Sequence, residues 1–319
     1  MLGKLIGVGG FSRVYEYIDE QETDSWIKII ASNSKITPEK ASRIVFNEGL
    51  VMEQLGTHPN IIKLISAQPS STVCLNGRDF NASFLILEKC KNGTLANVIR
   101  KTGPLEESVA WFIFVQILSG IQFMHDKGFA HLDIKLENIL LDEFFNVKIS
   151  DFGTSEYVDE SFGFTTKECG TKGYMAPEIT SNDRDDNYDA YSADIYSLGV
   201  WLNLLLTGQF PSENQTMSKN FTTNSFTESE LEDWDSDKMF VEVENQPPTM
   251  YDHLSDDVRL ILEEMLDHDP WNRPFVSDIK NSDWINQKPL DEIASIVFQE
   301  MNARVEYISN LNEQPIIGF

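Results

Sequence analysis

Cysteine is scarce in this sequence: Cys74, Cys90 and Cys169 are widely spaced and odd in number, which excludes a disulfide framework and a CxxC zinc spacing. They read as buried or reduced thiols. Positive charge is also short, with 25 Lys and Arg against 51 Asp and Glu, a formal charge of −26 and a pI near 4.4. Phosphate contacts need cations, so neither nucleic acid nor an anionic membrane surface is expected as a partner, whereas a basic macromolecule suits. No apolar run reaches the roughly 18 residues needed to cross a bilayer, and the opening stretch MLGKLIGVGG lacks the pattern of a signal peptide. An intracellular, cytoplasmic chain is the expectation. Apolar residues, by contrast, make up 41% of the 319, enough for a large core that at this length divides into two lobes.

The pattern along the chain changes partway. LGKLIGV, RVYEYID and SWIKII read as strands, with the glycine-rich bend GVGGFSRV between the first two. Residues 38–56 carry Pro at the start, Gly at the end and apolar residues at helical spacing, giving one helix amid strands. IIKLISAQ and ASFLILEKC complete a mainly β region of residues 1–90. From residue 104 helical periodicity takes over: PLEESVAWFIFVQILSGIQFMHDKG is amphipathic, and DIYSLGVWLNLLLTG is apolar nearly all round, the mark of a helix inside a lobe. SDDVRLILEEMLDHD and VSDIKNSDWI add two more helices to a region that extends over 91–285, interrupted by an acidic, hydroxyl-rich insertion at about 212–250. A tail over 286–319 has Leu290, Ile293, Val297, Met301 and Ile308 near one helical face, suited to packing on the second region or to binding a regulatory partner.

Gly7, Gly9 and Gly10 are weak evidence alone, although glycine lets a backbone approach an anion closely. Lys28 on a predicted strand and Glu48 on the predicted helix form a possible buried pair, placing an ammonium where it can meet phosphate oxygens. The decisive stretch is HLDIKLENILLDEFFNVKISDFG, which brings Asp133, Lys135, Asn138 and Asp151 into one hairpin. Carboxylates gathered this way repel unless cations lie between them, and hard oxygen ligands suit Mg²⁺ shared with a phosphate.

These segments, in this order, resemble a eukaryotic protein kinase of the serine/threonine type over roughly residues 3–285: GVGGFSRV the glycine-rich loop, WIK the lysine strand, HLDIKLEN the catalytic loop, then DFG, MAPE, DIYSLG and DPWNRP. The resemblance implies an α+β, bilobal fold, with a small β-rich N-lobe containing one helix and a larger, mainly α-helical C-lobe. It implies ATP and Mg²⁺ as cofactors and a protein substrate. Gly7, Val8, Gly9, Gly10 and Val14 would cover the nucleotide, Lys28 held by Glu48 would anchor its phosphates, and the Glu88–Cys90 hinge after the gatekeeper Leu87 would meet the base. Asp133 would orient the substrate hydroxyl, Lys135 would neutralise the transferring group, Thr171 would shape the pocket beside them, and Asn138 and Asp151 would hold Mg²⁺. Glu137 matches a position that pairs with substrate arginine, which suggests a substrate basic around the acceptor. Glu178 and Arg273 would pair.

Three positions depart from the pattern. Ser12 replaces the third glycine of the loop, a tolerated change. Leu132 stands where most members carry the arginine that binds an activation-loop phosphate, making this a non-RD sequence whose activity should depend little on phosphate at Thr165 or Thr166. Trp26 takes the place of a small residue in the roof of the adenine pocket; alternation along a strand points it into the same cleft as Lys28, unless a bulge turns it outward. A pseudokinase or scaffold, with nucleotide binding impaired by Trp26, is the alternative expectation.

Overall fold

Period-two alternation builds a sheet first. In the computed structural model, which describes residues 2–9, 12–18, 24–30, 36–75, 78–158, 163–180, 187–211, 251, 253–286, 290–311 and 317–318, strands β1 (Leu2–Val8), β2 (Ser12–Ile18) and β3 (Asp24–Ile30) form an antiparallel meander. Helix α1 (Pro38–Leu55) follows, with Pro38 in its first turn and Thr37 Oγ1 accepting from the Lys40 N–H at 3.3 Å. Strands β4 (Leu64–Leu75) and β5 (Arg78–Glu88) complete the sheet. Its order is β12-β1-β2-β3-β5-β4, where β12 (Ile317–Gly318) is a short strand from the far end of the chain.

The remainder is mainly helical. In chain order come α2 (Leu95–Thr102), α3 (Glu107–Asp126), β6 (Phe129–Ala130), β7 (Ile139–Leu141), β8 (Val147–Ile149), β9 (Glu156–Tyr157), β10 (Phe164–Thr165), α4 (Pro177–Thr180), β11 (Tyr188–Asp189), α5 (Ala190–Thr207), α6 (Asp256–Met265), α7 (Val276–Lys280), α8 (Asp283–Asn286), α9 (Leu290–Asn310) and β12 (Ile317–Gly318). This is the expected bilobal α+β architecture. Helix α5 is buried on every side, as its continuous apolar sequence requires, and begins at an Asp189 cap rather than at Asp194. Helix α3 has the length and hydropathy of a membrane span, yet Ile113, Phe114, Ile117 and Leu118 lie fully buried in the core of the helical lobe.

One expectation changes. VSDIKNSDWI forms two short helices, α7 and α8, because the Asn281 N–H closes the first turn on the Ser277 and Asp278 carbonyls. The insertion at 212–250 and Gly10 of the glycine-rich bend lie outside the described residues. Helix α9 packs by Val297, Met301 and Ile308 into the common core and contacts α2 and α3. Its apolar stripe therefore faces the protein. Cys90 is buried and Cys169 half-buried, both as free thiols.

The lobes meet along the segment before β4 and the β7–β8 hairpin. The Ile62 N–H donates to the Ile149 carbonyl, and the Ile149 N–H donates to that of Asn60, each at 2.9 Å. That seam sets β8, and the chain just after it, under the sheet.

Candidate active site

Strand β3 keeps an unbroken register with both neighbours, pairing Trp26 with Glu16 and Leu87, and Lys28 with Val14 and Leu85. No bulge intervenes, so Trp26 and Lys28 share a face. Across from Lys28, α1 presents a buried stripe of Ala41, Val45, Glu48, Gly49 and Met52. The Lys28 Nζ donates to Glu48 Oε1 at 2.8 Å and Oε2 at 3.1 Å, and to Asp151 Oδ1 at 2.9 Å. Burial alone would depress the Lys28 pKa, but the Asp151 and Glu48 carboxylates outweigh it and hold the ammonium above its ordinary value. Burial would raise Asp151, and the same ammonium instead pulls it down to about 2. Glu48 is pushed up by burial, against the attraction of Lys28.

The segment between β6 and β7 is irregular and contains a strained turn. Leu132 adopts φ 63° and Asp151 φ 66°, left-handed conformations that typically cost about 1–3 kcal/mol in residues other than glycine. Asp194, buried on α5, offsets the first: its two carboxylate oxygens accept from the His131 and Leu132 N–H groups, each at 2.8 Å. His131 Nδ1 accepts from the Asp133 N–H at 3.2 Å, while its Nε2 lies 3.1 Å from the Ser150 carbonyl. Main-chain and hydroxyl donors of Ser150 then reach the Asn138 carbonyl, both at 2.9 Å, tying the segment to Asp151.

Within this frame Asp133, Lys135 and Thr171 close a ring. Lys135 Nζ donates to Asp133 Oδ2 and to Thr171 Oγ1, each at 2.8 Å, and the Thr171 hydroxyl donates to Asp133 Oδ1 at 2.6 Å. Asn138 Nδ2 donates to the Asp133 carbonyl at 2.8 Å, leaving Asn138 Oδ1 a buried acceptor with no hydrogen-bond partner among the described residues. A buried acceptor left in this way costs about 1–3 kcal/mol unless a cation or donor meets it. Together with the Asp151 carboxylate it is a hard-oxygen pair of the kind that shares Mg²⁺ with phosphate.

A cleft joins these groups to the sheet. At its charged end lie Lys28, Glu48 and Asp151, and at its apolar end Val14, Trp26, Leu87 and Leu140; the free volume is about 10 Å³, close to one water molecule. Val8 is half exposed and is not among the residues that line it. Gly7 and Gly9 form the bend beside Val14, where the Gly9 N–H donates to the Ser12 carbonyl at 2.8 Å. At the hinge, the Glu88 carboxylate is engaged by Lys148 at 3.0 Å and by the Lys63 N–H at 2.8 Å, and the Cys90 carbonyl accepts from the Gly93 N–H. Neither residue lines the cleft.

Other groups arrange themselves around this centre. Arg273, its side chain fully buried, makes a bidentate contact to Glu178 at 2.6 and 2.8 Å. Glu137 lies 3.8 Å from Arg100 on α2, so a substrate cation would meet an internal competitor there. The structural use of His131 was not anticipated, although the residue stands inside the stretch that drew attention. Arg100 was missed because the short α2 carries too few turns to announce itself.

The sequence model of the protein kinase domain matches residues 1–285. Among curated relatives, CBL-interacting protein kinase 10 of Oryza sativa subsp. japonica is 31% identical over 325 residues, covering 98% of this chain and 65% of that protein. CBL-interacting serine/threonine-protein kinases 2 and 10 of Arabidopsis thaliana are 29% and 30% identical, each over 90% of this chain and over 56% and 53% of their own lengths. The chain thus spans between about half and two thirds of the relatives it matches. With the ordered motifs, the two-lobed fold and the match over residues 1–285 in agreement, the chain belongs to the protein kinase domain family.

Proposed function

We propose that the chain is a serine/threonine protein kinase that transfers the γ-phosphoryl group of ATP to a Ser or Thr hydroxyl of a protein. One observation carries the reading: Lys28 of the sheet lies 2.9 Å from Asp151 of the helical lobe, alongside the closed ring of Asp133, Lys135 and Thr171. The groups needed to position a phosphoryl transfer thus converge from distant parts of the chain.

Each side chain takes a task from its surroundings. Lys28, held charged by two carboxylates, binds phosphate oxygens. Asp133 accepts hydrogen bonds through both oxygens, so a substrate hydroxyl that replaces Thr171 at Oδ1 is oriented by the same carboxylate. Lys135 sits between that carboxylate and the Thr171 hydroxyl, where its charge compensates the transferring group. Asn138 and Asp151 would hold Mg²⁺, which when bound neutralises charge on the nucleotide phosphates.

The acidic surface supports a substrate basic around its acceptor, although Arg100 weakens the part assigned to Glu137. Relatives named for their interaction with CBL support a regulatory partner for this chain too, engaging α9 or the 212–250 insertion. A non-catalytic scaffold finds no support in these relatives, which are named as kinases, or in a site that retains each charged group.

The test is transfer of labelled phosphate from ATP to a serine peptide with basic flanks. Asp133→Asn is expected to lower turnover by about 10²- to 10⁴-fold with an unchanged melting curve. Near-normal turnover in that variant would falsify the assignment.

A further inference from the structure

We propose that Trp26 is the residue that sets nucleotide affinity in this chain, because its indole occupies the base end of the cleft and must leave before a nucleobase can enter. The inference rests on the kinase reading above.

Three observations converge. First, the direction of Trp26 is fixed by the backbone: β3 is paired on both sides without a bulge, so Trp26 projects from the sheet on the side of Lys28. Second, the side chains around it are closed against one another. Val14, Leu87 and Leu140 line the cleft together with Trp26 and belong to the same buried cluster, and Trp26 is itself only 3% exposed. Third, the free volume there, about 10 Å³, holds a water and not an aromatic bicycle.

Shape explains why this occupant is effective. An indole and a purine are both flat, fused five- and six-membered rings, so a slot that closes on one is filled against the other. The charged end of the cleft is unaffected, since Lys28 and Asp151 are already in contact there. Phosphate binding and base binding are therefore separable in this chain. A nucleotide gains its phosphate contacts at once, but it gains base contacts only in the fraction of molecules whose indole has swung out, and its apparent affinity is reduced by that fraction. Removing the indole removes the reduction.

The experiment compares wild type, Trp26→Ala and Trp26→Val by calorimetric titration with MgADP, adenosine and magnesium tripolyphosphate. The expected result is at least a tenfold gain in MgADP affinity in the variants, detectable adenosine binding only in the variants, and equal tripolyphosphate binding in all three. Equal or weaker MgADP binding in folded variants, with tripolyphosphate still bound, overturns the inference and leaves the kinase reading standing. Failure of wild type and variants to bind either MgADP or tripolyphosphate overturns both. Should the variants not fold, the wild-type protein labelled with 5-fluorotryptophan decides: the resonance that disappears in Trp26→Phe must shift on adding MgADP and stay in place with magnesium tripolyphosphate, and its immobility with MgADP sinks the idea.

Discussion

Arg273 has a side chain with no solvent exposure, and a guanidinium cannot shed its charge to suit a buried site. Its bidentate contact to Glu178, with further donation to the Asp267 and Ser192 carbonyls, is what makes that position tolerable. Glu178→Ala should therefore destabilise the fold by about 3–5 kcal/mol in denaturant titration, whereas a Glu178→Leu/Arg273→Met double variant should cost much less, because no charge is stranded. The Lys28 triad makes a pH-dependent counterpart. Asp151 has its pKa lowered to about 2, so its contribution to stability is complete above the ordinary carboxylate range and is lost as pH falls toward 2. Lys28 is raised, so its contribution persists below its ordinary value and is lost only on the strongly alkaline side. The stability difference between wild type and Asp151→Asn should accordingly stay flat from about pH 5 to 9 and shrink below about pH 4. A difference that grows on acidification would contradict the ion pair.

Single elements hold these residues in place, and two of them allow sharp tests. Helix α1 can approach β4 only because residue 49 lacks a side chain: a Cβ there would lie 2.6 Å from that of Ala67. Gly49→Ala should push the helix outward, carry Glu48 away from Lys28 and lower kcat/KM on the order of 10²-fold; adding Ala67→Gly should recover much of the loss. The described residues between β9 and β11 gather on Leu132, which stands in the arginine's place. Leu132 packs with Val158, Ala176, Ile179 and Tyr188, and the buried Thr165 donates its hydroxyl to Glu156 at 2.9 Å. A phosphate or carboxylate at Thr165 would face Glu156 in a buried site. The Thr165→Ala/Thr166→Ala protein should thus keep activity within a few-fold, and Thr165→Glu should be less active than either. Much of this was legible in the sequence. Alternation aimed Trp26 and Lys28 at one cleft, and the apolar girth of α5 placed it centrally. What escaped were features set by tertiary contact: the break between α7 and α8, the Arg100–Glu137 approach, and the closing of Val14 and Leu140 on an indole. Periodicity reports which face is buried. It carries no information about what fills the space between two faces.

At the scale of the whole molecule, the ends of the chain and its net charge matter together. Helix α9 is stapled to the helical lobe by Arg304, whose guanidinium donates to the carbonyls of Thr102, Gly103 and Pro104 at the end of α2 and is held by Glu300. Beyond it, β12 pairs in parallel with β1, Ile317 with Gly7 and Gly318 with Val8, beside the glycine-rich bend. The chain as a whole carries a formal charge of −26. A charge of that size acts over distance, and salt screens it beyond a Debye length of about 10 Å at 0.1 M. Its effect falls on the encounter with a basic peptide and not on the chemistry that follows, since Asp133, Lys135 and Thr171 are bound directly to one another and screened little by the solvent. For a peptide with lysine or arginine flanks, kcat/KM should therefore fall by about tenfold between roughly 0.05 and 0.5 M salt, while kcat stays constant. A peptide with neutral flanks should show neither change, and equal salt sensitivity for the two would mean that the acidic surface plays no part in choosing the substrate.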